Sequence, residues 1–278
     1  MITQDRGCND APIGVFDSGV GGLTVVREIM RQIPNERIVY FGDTARVPYG
    51  SKSKDTVTRY SRQIAHFLQT QNVKTIVVAC NTASAYALEE LEKEIDIPML
   101  GVVKPGAKAA VEATRNGKIG VIATEGTIGS KIYSQYINQL KQDATVIGKA
   151  CPLFVPLVEE GLLQDPVTDE IARRYLSELK DIGIDTLILG CTHYPLITET
   201  VGKIMGGEVT LVNPAYETAR ELKELLTNHN LLNDRPMELG KSGHSFYVSD
   251  AAEKFKTFAN SILKYGILSA KIINAETY

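Results

Sequence analysis

The chain has 278 residues, 44% of them hydrophobic and 23% charged, and a formal net charge of -3. That is ordinary globular composition in a chain long enough for one large or two modest domains, and the charge gives no case for nucleic acid or an anionic membrane as a partner. No stretch approaches the roughly 20 apolar residues that span a bilayer, the start Met1–Asp10 is too polar for a signal peptide, and four cysteines are too few for a disulfide scaffold. Reduced thiols in a cytoplasmic protein are therefore expected, and without Cys-x-x-Cys or a His-rich cluster no metal site is expected.

Residues 1–12 read as a loose leader. A first strand, Ile13–Phe16, ends in Asp17-Ser18-Gly19-Val20-Gly21-Gly22, and a helix with apolar Leu23, Val26, Ile29 and Met30 follows. The glycines permit a tight turn, and amides at a helix start can hold an anion. The dinucleotide pattern fails at Thr24, and Asp17 would repel phosphates. A second strand, Arg37–Phe41, runs into the turn-rich loop Gly42–Gly50, with Asp43 paired to Arg46 and Tyr49 at a cleft rim. A helix over 54–71 leads back to Thr75–Ala79, a β-branched run without alternation, as in a parallel strand covered on both faces. That strand delivers Cys80, with Asn81 and Thr82 capping a helix that opens at Ala83 and continues over Ala85–Ile95. A strand Pro98–Val102 meets Lys104-Pro105-Gly106, read as the crossover into a second half.

The second half begins with strand Lys118–Ala123, ending in Thr124-Glu125-Gly126-Thr127, then a helix carrying Ile132, Tyr133, Tyr136 and Leu140. Strand Thr145–Lys149 precedes Cys151, read as a packing residue, and Glu159-Glu160 stand before a turn. A helix Thr168–Ile182 feeds strand Asp185–Gly190, which ends in Cys191-Thr192-His193-Tyr194-Pro195. Strand Val209–Val212, Asn213-Pro214 and helix Tyr216–Asn228 follow. Residues 233–245 form a polar loop; Phe246–Val248 is a strand and Ala251–Tyr265 a helix, together packing back on the first half. Ser269–Tyr278 carry no assignable pattern.

The two cysteine strands repeat one plan at an offset of 111 residues, and Ile13–Ser18 is echoed by Ile119–Thr124 at an offset of 106. The expected fold is α/β: two pseudo-symmetric domains with mainly parallel sheets, residues 1–103 plus 217–278 and residues 104–216, with the active site in the cleft between them. Paired strand-end thiols admit a redox disulfide, a soft-metal site, or two acid/base groups on opposite faces of one carbon. The first lacks Cys-x-x-Cys economy and the second a further ligand set. The third suits inversion of a stereocentre.

Five segments carry a resemblance: Gly14–Thr24, Tyr40-Phe41-Gly42-Asp43, Pro48-Tyr49-Gly50, Ala79-Cys80-Asn81-Thr82-Ala83 and Gly190–Pro195. Through them the chain, from Ile13 to at least Tyr265, resembles the glutamate racemases of the cofactor-independent aspartate/glutamate racemase superfamily. The resemblance implies interconversion of L- and D-glutamate for peptidoglycan without a cofactor, with Cys80 taking the α-proton from D-glutamate and Cys191 from L-glutamate. It implies Asp17 beside Cys80, His193 beside Cys191, and Glu159 as a further assistant. Substrate contacts implied are Asp17, Ser18, Pro48, Tyr49, Gly50, Asn81, Thr82, Thr124, Thr192 and His193, and a homodimer is implied as well. An aspartate racemase and a noncatalytic amino-acid-binding module are the alternatives.

Overall fold

In a computed structural model that describes residues 9–235, 243–263 and 269–278, the short apolar runs form two separate sheets, and every strand pairing is parallel. The first sheet is built from β1 (Ile13–Asp17), β2 (Ile38–Gly42), β3 (Thr75–Val78) and β4 (Met99–Gly101), joined by helices α1 (Leu23–Gln32), α2 (Lys54–Thr70), α3 (Asn81–Tyr86) and α4 (Leu88–Glu94). Helix α5 (Val103–Ala113) carries the chain over to β5 (Lys118–Ala123), α6 (Glu125–Ser130), α7 (Ile132–Leu140), β6 (Thr145–Ala150), α8 (Phe154–Glu159), α9 (Pro166–Ile182) and β7 (Thr186–Gly190). After α10 (Thr198–Met205), β8 (Thr210–Val212) and α11 (Pro214–Asn228), the chain returns to the first sheet as β9 (Ser245–Val248), α12 (Ala252–Ile262) and β10 (Lys271–Ile272). The strand orders are β10-β9-β2-β1-β3-β4 and β6-β5-β7-β8.

Alternation explains why the runs are apolar throughout. Ile13, Val15, Ile38, Tyr40 and Val77 enter a core with α1, α11 and α12, while Phe16, Val39, Phe41, Ile76 and Val78 enter a core with α2 and α4. In the second sheet Ile122, Leu187 and Leu189 face one core and Ile119, Val121 and Ile188 the other. In the inner strands both faces are covered and polar residues are few, Asp17, Thr75 and Thr186 among them, whereas the edge strand β6 is partly exposed. At the N-terminal ends of the strands, opposite the thiols, Lys74 Nζ lies 2.6 Å from Glu36 Oε2 and donates to the carbonyls of Asn9 (2.8 Å) and Leu231 (2.7 Å). Both side chains are buried, and Glu36 Oε1 also accepts from the Asn233 N–H at 2.8 Å.

Several expectations need correction. Helix α3 opens at Asn81, two residues early, because the Cys80 thiol is its cap: Sγ accepts from Ala83 N at 3.5 Å. The helix expected to continue to Ile95 is broken at Ala87. Lys104-Pro105-Gly106 is not a loop; Pro105 sits in the first turn of α5, where an N–H has no intrahelical acceptor to lose. The tail does join the first sheet, through β9 on β2, and the unassigned final residues add β10 on β9. Helix α12 ends at Ile262; Tyr265, residues 1–8 of the leader and residues 236–242 of the polar loop lie outside the described residues.

Candidate active site

Register brings the motifs together. Phe16 pairs with Val78, so Asp17-Ser18 and Cys80 leave neighbouring strands side by side; Ala123 pairs with Gly190, so Thr124 and Cys191 do the same. These ends face one another across a small cavity lined by Ser18, Val47, Pro48, Tyr49, Gly50, Cys80, Asn81, Thr82, Thr124, Val155, Cys191, Thr192 and His193. Every sequence-predicted site residue except Asp17 and Glu159 lines it. A second cavity is lined by Glu159 and by Lys254, Phe255 and Phe258 of α12, and holds neither thiol.

The two thiols stand in different surroundings. Cys80, 5% exposed, accepts from Ala83 N and donates to Ser18 Oγ at 3.8 Å. Burial, then the charge of Asp17, pushes its pKa up to about 12, which holds it as a thiol. Cys191, 6% exposed, lies 3.8 Å from His193 Nδ1, and His193 Nε2 lies 3.1 Å from Glu159 Oε1. Burial disfavours the imidazolium, but the bonds to Cys191 and Glu159 outweigh it and raise His193 to about 10. The same bond from His193 lowers the Glu159 carboxyl. The motif pair left open which carboxylate assists; Glu159 meets His193, and Glu160 is exposed.

Asp17 is fully buried and folded back on its own turn. It accepts from Gly19 N at 3.0 Å and from the amides of Gly22 and Ser18, with a longer contact of 3.5 Å from Thr192 Oγ1. Burial raises its pKa despite the charge of His193 and those amides. No hydrogen bond joins it to Cys80 among the described residues, and it acts on that thiol through charge. Tyr49 is not at a rim. It is 1% exposed, its hydroxyl bonds to the buried Asp43 carboxylate, and that carboxylate is also held by Arg46 Nε at 2.8 Å and Ser249 Oγ at 2.8 Å. The 43–50 loop is thus pinned by the returning β9 end.

The halves touch closely where glycines allow it. A Cβ on Gly21 would stand 2.3 Å from Thr192 Oγ1 and 2.5 Å from His193 Nδ1, and one on Gly50 would stand 2.6 Å from Thr124 Cβ. Gly126 N donates to Gly50 O at 2.8 Å, and Thr24 Oγ1 lies 2.8 Å from Thr192 O. Thr82, Thr124 and Thr127 form a triangle of hydroxyls 2.9–3.2 Å apart. Sequence reading did not single out Thr24, Thr127 or Tyr133, whose hydroxyl donates to Asn81 Oδ1 at 2.7 Å. Tyr133 falls on the apolar stripe of α7, so periodicity alone reads it as core.

A sequence profile of the Asp/Glu/Hydantoin racemase family matches residues 13–222. The chain belongs to this family. It is 52% identical over 251 residues to a glutamate racemase of Geobacter metallireducens, covering 90% of this chain and 92% of the relative. A crystal structure of a glutamate racemase isoform from Bacillus anthracis superposes with a TM-score of 0.90 at 40% identity, over 95% of this chain and 98% of that one. The glutamate racemase from Francisella tularensis, crystallised in complex with D-glutamate, superposes with a TM-score of 0.89 at 39% identity, over 97% and 100%. Members of this family are isomerases, and two parallel α/β sheets flanking a cleft are their architecture here.

Proposed function

We propose that this chain is a glutamate racemase that moves the Cα proton of glutamate between Cys80 and Cys191, which address opposite faces of that carbon, with no added cofactor. One observation carries the reading: two strand-end thiols line a single small cavity, one surrounded so as to stay a thiol and the other bonded to a histidine of raised pKa. In the L-to-D direction the Cys191 thiolate, formed by passing its proton to His193, takes the α-proton. The electron pair left on Cα delocalises into the α-carboxylate, and the Cys80 S–H then returns a proton to the other face. D-glutamate leaves with Cys80 as thiolate and Cys191 as thiol, and the reverse direction starts from that state.

Stabilising the doubly charged carbanion requires donors already in place. Thr82, Thr124 and Thr192, with the amides of Tyr49 and Gly50, would supply them without a fixed cation against the thiols, while Asn81 would hold a substrate carboxylate in ground and transition state alike. Glu159 would support the His193 charge while Cys191 is a thiolate, and Asp17 would tune Cys80. The reading includes a cytoplasmic homodimer supplying D-glutamate to peptidoglycan synthesis.

The test follows L-glutamate in D₂O by circular dichroism and by NMR of the Cα position. Loss of optical activity, with deuterium in the D-glutamate formed, is expected. Absence of both, with turnover of aspartate instead, transfers the reading to an aspartate racemase; absence with either substrate, but binding of both, leaves an amino-acid-binding module.

A further inference from the structure

We propose that Tyr133 is a positioning residue that fixes the side-chain amide of Asn81 so that its N–H donors, and not its carbonyl oxygen, face the substrate's carboxylate. The inference rests on the reading of the cavity as an amino-acid site and names how one of its donors is oriented.

Asn81 follows Cys80, is buried, and lines the cavity that holds both thiols. An asparagine amide has a donor end and an acceptor end of nearly equal shape, and what surrounds it decides which way it turns. Here the decision comes from the opposite half. The Tyr133 hydroxyl on α7 reaches Asn81 at 2.7 Å, and its buried ring is packed against the strand end that precedes Cys191: a Cβ on Gly190 would stand 3.2 Å from Tyr133 Cε2. A Cβ on Gly106 would stand 3.4 Å from the Tyr133 hydroxyl, so α5 closes the other side.

Burial, then the charge of Cys191, raises the phenol far above its ordinary range, so it keeps its proton at every working pH. That proton has no acceptor other than Asn81 among the described residues. Were the amide turned over, Nδ2 would donate to the phenol and the phenol's own proton would be buried unpaired, which is the more costly arrangement. The bond therefore holds Oδ1 toward Tyr133. Nδ2 is left without a protein acceptor among the described residues, in a cavity where an ionised carboxylate, an acceptor only, would be its partner. A flipped amide would set oxygen against oxygen.

Tyr133→Phe keeps the ring and removes the proton, and the assay is racemisation from each enantiomer. The expected result is a rise in KM of about tenfold for both L- and D-glutamate, with kcat changed less than about threefold. In an Asn81→Ala background the same substitution is expected to add nothing, because its effect passes through that amide. An unchanged KM, a fall confined to kcat, or a full additional penalty in Asn81→Ala overturns the proposal. A wild type inactive on glutamate would defeat the substrate reading and not this one. The proposal is then decided by ¹⁵N NMR of the Asn81 side-chain NH₂: signals moved by Tyr133→Phe sustain it, and unmoved signals overturn it.

Discussion

Gly21→Ala puts the proximity of the two halves to a quantitative test. The added Cβ would stand 2.3 Å from Thr192 Oγ1, 2.5 Å from His193 Nδ1 and 2.6 Å from His193 Cε1, whereas ordinary contact begins at 3.4 Å. About 1 Å must open, and neither neighbour is free to yield: His193 is tied to Glu159 and Cys191, and the Thr192 carbonyl lies beside Thr24 Oγ1. The imidazole therefore moves off the Cys191 sulfur, and a displacement of about 1 Å in a catalytic group costs on the order of 10²-fold in rate. Overpacking adds about 1–3 kcal/mol of destabilisation, roughly 3 °C in Tm per kcal/mol for a chain of this size. Stopped racemisation assays from each enantiomer, with Cα–H washout, measure the effect. The fall is expected in kcat and to be larger for proton removal from L-glutamate, the direction in which Cys191 is proposed as the base. Gly129→Ala is the control, since nothing lies within 4 Å of its Cβ position. Wild-type kinetics in Gly21→Ala would refute the argument that this glycine exists to let His193 approach.

Cys80→Ser and Cys191→Ser are each expected to lower racemisation by at least about 10³-fold, because a serine hydroxyl is a far weaker acid than a thiol; retention of a tenth of the activity in either sinks the two-thiol mechanism. Glu159→Gln removes a bond that raises His193, so the imidazolium is lost at lower pH and the alkaline limb of kcat/KM for L-glutamate moves down by about one unit or more; an unmoved limb tells against the relay. By the same linkage, the stability contributed by His193 is complete below its ordinary value of 6.5 and drains away as pH climbs through about 10, which urea titrations across that window would register. Lys74→Met strands the buried Glu36 carboxylate and is expected to cost about 3–5 kcal/mol in urea unfolding while the folded enzyme keeps its turnover; a cost below about 1 kcal/mol contradicts the burial of that pair.

The inner strands are legible because they are apolar on both faces, and the thiols because the same strand-end plan occurs twice. What escaped the sequence has specific causes. Cys80 is not among the usual helix caps, so the start of α3 was placed two residues late. Pro105 reads as a breaker unless it falls in a first turn, and nothing local announces that turn. Strand β10 is two residues long and exists only because β9 offers it an edge. A loop without periodicity gives no sign that Tyr49 is buried; the Asp43 carboxylate that takes its hydroxyl is itself satisfied by Ser249, some 200 positions away. Tyr133 was invisible for a related reason: on α7 it is one apolar residue in a stripe, and only the packing of one half against the other gives its hydroxyl a partner.

The return of β9 to β2 has a consequence for how the protein is made. On a ribosome, β2 is complete at Gly42, yet the strand that covers its open edge begins at Ser245, about 200 residues later. At synthesis rates of roughly 5–20 residues per second, that edge stays unpaired for about 10–40 s. The last strands and α12 also bring Ser249 to Asp43 and the Phe258 ring centroid to 6.5 Å from that of His193. The nascent chain therefore carries both thiols well before Ser249 and Phe258 reach the loop and the ring beside them. An unfinished or C-terminally clipped chain is left with a bare strand edge, the feature most prone to pair with a second copy.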